Sequence, residues 1–205
     1  MIYEFGPDKS FWSEYEKVDL IIPFCKYIQG NLVMPDLLLL KEYNFSQTVD
    51  SAKGSGKIIQ KPDGLYFCSI NKDSFVADEE RNIIFKIESL GEKYFQYKVD
   101  DYLLSWASNG TVEVTRVILT NDKKIYLKAH RLKIPVFRNI TILYAGIELG
   151  LWDLNVVKNT YNIWSKDPQA VPSDCDTWEI LIAKHGKEIE NNASYLKDIL
   201  EKSHH

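Results

Sequence analysis

The feature that most constrains the fold is the close spacing of short β-prone runs between Lys57 and Gly146. The runs LYFCSI, NIIFKI, YFQYKV, YLLSW, TVEVTRVIL, KIYLKAHRL and ITILYA are separated mostly by a few turn-forming residues. Parallel strands need a crossover of a dozen or more residues between them, so runs this close predict an antiparallel meander. TNDK, at Thr120 to Lys123, and KPDG, at Lys61 to Gly64, carry residues that tight hairpin turns use. The expected fold class is therefore α+β: a sheet of roughly five to seven antiparallel strands, covered by N- and C-terminal helices.

Outside the sheet the pattern changes. Residues 1–56 read as a mixed helical part, with a helix start at Pro35-Asp36, followed by a polar, Ser/Gly/Lys-rich loop from Asn44 to Lys57. After Gly146 the spacing of Ile147, Leu151, Leu154, Tyr161 and Trp164 predicts a helix. A last helix is predicted from Asp176, its N-cap, with Glu179 completing a capping box and Gly186 as a weak point. The expected organisation is one domain over residues 1–203, with the sheet at 57–146 and helices at 147–203. The terminal His204 and His205 read as a tag remnant. A chain of 205 residues, 45% of them apolar, can bury a core without disulfide or metal staples.

The three cysteines, Cys25, Cys68 and Cys175, are odd in number and lack any CxxC spacing, so they point to reduced thiols in a cytoplasmic protein, with no zinc site. No run approaches the roughly 20 apolar residues that span a bilayer, so no membrane partner is expected. No cofactor is expected either.

Four patterns bear on chemistry. The tetrapeptide KPDG resembles the KxDG signature of nucleotidyltransferases such as ligases and capping enzymes, which would make Lys61 a nucleophile toward a nucleotide α-phosphate. The other positions such a family needs could only be sought in Glu113, Lys124 and Lys128, and a plain turn accounts for the four residues. GSGK, at Gly54 to Lys57, lacks the first glycine and the Ser/Thr of a phosphate-binding loop. The acidic pairs and runs at Asp78-Glu79-Glu80, Asp100-Asp101 and Asp174/Asp176 read as turn and edge residues, and Asp63, Asp122 and Lys124 make a poor nuclease constellation. His130 and His185 lie beside no nucleophile motif.

The most informative local feature is charge. Arg116 to Arg138 holds seven basic residues against Asp122 alone, within a chain of net charge −4. Read as a strand, this segment places Lys124, Tyr126, Lys128 and His130 on one face, with Arg131 beside them, forming an anion- or partner-binding surface on a hairpin. Two functions follow. The first is a non-enzymatic protein that recognises or inhibits a macromolecular partner, an immunity-type or counter-defence-type inhibitor. The alternative is a nucleotide- or nucleic-acid-acting enzyme or binding module that uses the basic 116–138 segment.

Overall fold

The computed structural model describes residues 1–8, 10–11, 24, 27–28, 31–35, 58–60, 66–68, 83–88, 90–94, 96–166 and 171–203. Among them are seven strands: β1 (Ile2–Pro7), β2 (Val33–Pro35), β3 (Ile58–Gln60), β4 (Tyr66–Cys68), β5 (Ile83–Glu88), β6 (Val114–Leu119) and β7 (Val136–Phe137). The helices are α1 (Val99–Ser108), α2 (Lys123–Arg131), α3 (Asn139–Glu148), α4 (Leu154–Trp164) and α5 (Trp178–Ser203).

The fold is a mixed α/β arrangement built on parallel pairing, and this overturns the antiparallel meander. β1 runs parallel to β6 in register from Ile2↔Val114 to Pro7↔Leu119, and β6 runs parallel to β7. β2 and β5 are also parallel, and a bridge from Phe5 to Leu32 brings the two sheets together beside β1. Antiparallel pairing is confined to β3–β4 and β4–β5. The hairpin expected at KPDG falls on residues outside those described, as do GSGK and Asp78 to Glu80.

The misreading has a local cause. KIYLKAHRL and ITILYA are helices α2 and α3, and YLLSW lies in α1; α2 is the crossover that joins the parallel strands β6 and β7, for which the strand reading left no room. In α2 the buried positions are Ile125 and Ala129, four apart, while Leu127 is 44% exposed; an alternating strand would bury all three. Asp122 is no hairpin residue. Its Oδ1 accepts the amides of Lys124 (2.6 Å) and Ile125 (3.1 Å) and starts the helix. At the other end of α2, Lys133 takes a positive φ of 58° while its amide bonds the His130 carbonyl and the Ile134 amide that of Ala129, a Schellman closure.

The last helix also starts later than the sequence predicts. Asp176 is not its cap; Thr177 Oγ1 accepts the Ile180 amide at 3.3 Å, and the helix runs unbroken through Gly186. α5 packs along α3 and against β1. The core between sheet and helices includes Phe5, Trp106, Val117, Leu119, Tyr161, Trp164, Leu196 and Leu200. None of the described helices is long and apolar enough to cross a membrane.

Candidate functional site

The chain leaves β1 for β2 on one side and later returns with β6 on the other. β1 and β6 therefore flank a reversal of strand order, and in open parallel sheets the crevice beyond the carboxyl ends of such strands is where ligands bind. The residues immediately beyond β1, β6 and β7 are polar.

Asp8 follows β1 and is only 2% exposed. Its Oδ1 accepts the Ser10 hydroxyl at 2.7 Å and the Phe11 amide at 2.9 Å, the second being an N-cap bond to a residue in helical conformation. Its Oδ2 accepts the hydroxyl of Thr120, the residue that follows β6. Ser10 Oγ in turn accepts the amides of Asn121 (2.8 Å) and Asp122 (2.9 Å), which locks the two strand ends together. These donors favour the carboxylate, yet burial outweighs them: the Asp8 carboxyl is pushed up from 3.8 to about 6, with the Asp122 charge adding to the rise. An N-cap aspartate on a surface helix would stay near its ordinary value; one that titrates near neutrality is poised for proton transfer.

Beyond β7 stands Arg138, the N-cap of α3, whose side chain makes no capping bond. One guanidinium nitrogen reaches the Asn121 carbonyl at 3.4 Å, and its Nε is buried with no hydrogen-bond partner. Burial pulls its pKa down, while Tyr126, Asp122 and Glu188 push it back up. Next to it, Asn139 is 1% exposed and neither atom of its side-chain amide has a partner. Unpaired buried polar atoms are uncommon and call for an explanation. The carboxyl edge thus gathers Asp8, Ser10, Thr120, Asn121, Asp122, Arg138 and Asn139, together with the N-termini of α2 and α3.

The residues singled out by charge lie on α2, which begins at this edge. Lys124, Lys128 and Arg131, at i, i+4 and i+7, are exposed along one helical face. Lys128 is partly neutralised by Asp101 of α1 at 3.1 Å. Tyr126 and His130 stand on the neighbouring face with their rings 6.2 Å apart. The expected basic strand face does not exist, and Tyr126 is half-buried while His130 is exposed. Asp100 and Asp101 sit in the first turn of α1 and not on a strand. Sequence reasoning missed Asp8 altogether; the only local signal was an Asp-x-Ser just after an apolar run.

At this edge the Asp8 carboxyl oxygens accept from Ser10, Phe11 and Thr120, and Asp122 Oδ1 accepts the first amides of α2. A gathering of ligand-type side chains, Asp174, Cys175 and His185, lies between the segment before α5 and α5 itself.

No protein-family model matches the chain, and no curated protein or solved structure matches it. The class of protein is therefore defined by fold and site alone: a mixed α/β fold with a buried carboxyl group beside the ends of its parallel strands β1 and β6.

Proposed function

We propose that the protein acts on a phosphate-bearing ligand, best fitted by a nucleic-acid strand, in the crevice beyond β1 and β6, with Asp8 as its acid–base group. The observation that carries this reading is the Asp8 carboxyl, buried at the reversal point among the hydroxyls of Ser10 and Thr120, where burial pushes its pKa up to about 6. Arg138 and the α3 N-terminus supply positive potential on the same edge. The exposed Lys124, Lys128 and Arg131 extend that potential away from the crevice over about 10 Å of helix, a track that suits an extended polyanion better than a single nucleotide. The chain's own contribution is then to hold the phosphate with Arg138, exclude water around Asp8, and move a proton at Asp8 Oδ2 or Oδ1.

The test is turnover of fluorescent single-stranded DNA and RNA, with and without Mg²⁺, by the wild type and Asp8→Asn. A loss of about 100-fold or more in the variant, at unchanged folding, is the expected result for a removed acid–base group. Equal turnover by both proteins, or none by either on any oligonucleotide, would remove the basis of the proposal.

A second reading, a protein that recognises or inhibits a macromolecular partner, is favoured by one observation. Leu154, Val156 and Ile163 are all exposed on α4, with Val156 and Ile163 two turns apart on one face. Partner capture through that face would be insensitive to salt, whereas binding along α2 would weaken steeply as salt rises.

A further inference from the structure

Asp174 and Cys175 lie in the segment that leads into α5, and His185 lies two turns into that helix. One potential ligand atom from each, a carboxylate oxygen, the thiol sulfur and an imidazole nitrogen, falls within 4.8 Å of the others. Asp174 Oδ1 is 3.7 Å from the Cys175 sulfur. Around a tetrahedral zinc ion, bonds of about 2.3 Å to sulfur and about 2.0 Å to oxygen place those two ligand atoms roughly 3.5 Å apart. The pair is already close to that spacing, and an imidazole nitrogen of His185 lies within 4.8 Å of both atoms.

The backbone of the cluster is held before any ion arrives. The Tyr161 hydroxyl donates to the Cys175 carbonyl at 2.6 Å, and the Cys175 amide donates to the Pro172 carbonyl at 3.0 Å. Lys184 donates to the Asp174 carbonyl at 2.8 Å and to its Oδ2 at 2.7 Å, while Oδ1 accepts the Cys175 thiol, a hydrogen bond that metal binding would replace. Tyr161 is itself fixed by the edge of Trp178, with ring centroids 5.7 Å apart. Partners of this kind, which orient ligands from behind, are what give a metal site its affinity. Cys175 is fully buried, Asp174 is exposed, and His185 borders a shallow groove of about 460 Å³ along α5, lined also by Lys187, Glu188 and Asn191.

We infer that Asp174, Cys175 and His185 form a zinc site with three protein ligands and a fourth position open to solvent on the groove side. Thiolate, imidazole and carboxylate together select zinc over magnesium or calcium, which take oxygen alone. Binding forms the Zn–S bond as the Cys175 thiol proton passes to solvent, and water fills the open position. This site uses none of the residues proposed to act at the Asp8 edge and does not depend on the reading proposed for it.

The test is titration of the purified full chain with Co²⁺, followed by displacement with Zn²⁺. Cobalt in such a set should give a sulfur-to-metal charge-transfer band and the visible bands of tetrahedral coordination, at one ion per chain, all lost on adding Zn²⁺. Cys175→Ser should abolish the charge-transfer band. His185→Gln, at a half-exposed position, should weaken Co²⁺ binding at least about tenfold, the scale of losing even an outer-shell partner. Circular dichroism confirms that each variant is folded. Absence of a charge-transfer band in the wild type would overturn the inference. So would unchanged affinity in His185→Gln, or a band that survives in Cys175→Ser and so belongs to Cys25 or Cys68.

Discussion

The Asp8 carboxyl sets the clearest expectation at the level of single residues. Its pKa in the folded chain, about 6, lies above its ordinary 3.8, so between these values the native state holds a proton that the unfolded chain has released. Stability must therefore fall as pH rises across that window, by about 3 kcal/mol from this group, and stay lower above it. Asp8→Asn removes the titration while keeping the shape, so the variant should melt above the wild type at pH 7 and close to it near pH 4. Parallel melting curves at both pH values would contradict the assignment. Lys133 offers a second check: its left-handed backbone, φ 58°, costs a lysine about 1 kcal/mol that glycine avoids, so Lys133→Gly should gain that much in denaturant unfolding. Asp8 was not legible in the sequence, because its partners Ser10 and Thr120 meet only when β1 and β6 pair across more than a hundred residues. Nothing within its own decapeptide sets it apart from a turn aspartate.

At the level of elements, the lesson lies in α2 and α3. A nine-residue segment is the length at which helical and strand periods are hardest to separate, and Ile125, Leu127 and Ala129 satisfy alternation on paper. The deciding signals were at the ends: Asp122 as N-cap and a C-terminal turn closing on Lys133. The charge of the segment was legible, but the surface it makes was not, because its geometry depends on which period wins. α3 carries an equally local constraint. A methyl group on Gly146 would meet the Trp152 ring at 2.1 Å, and that ring is held by its Nε1 bond to the Leu143 carbonyl at 3.0 Å. Gly146→Ala should cost about 2 kcal/mol despite alanine's better helix propensity, measured by chemical denaturation. A stabilised variant would mean that Trp152 is free to move.

At the scale of the molecule, one cation ties separate parts of the chain together. Arg116 of β6 bonds Glu4 of β1 at 3.2 Å, Glu88 of β5, and the Trp106 carbonyl of α1 at 2.8 Å, while its guanidinium lies 5.0 Å from the Trp106 ring. Arg116→Met leaves two carboxylates facing each other at a site where Arg116 and Glu4 are little exposed, and a loss of about 3 kcal/mol is expected in urea unfolding. An unchanged midpoint would show that solvent already screens the group. The same scale explains why the presence of both strands and helices was legible while the parallel pairing, which turns the expected α+β meander into a mixed α/β fold, was not. Strand and helix periods are local, whereas the order that places β1 between β2 and β6 is decided by long-range pairing.

The most direct test of the crevice is a two-dimensional amide titration of the full chain with a short single-stranded oligonucleotide in Mg²⁺. Shifts should concentrate at residues 8–11, 120–124 and 138–140 and should weaken with added salt. Shifts confined to α4 or α5, or no shifts at all at saturating oligonucleotide, would show that the ligand-binding surface lies elsewhere.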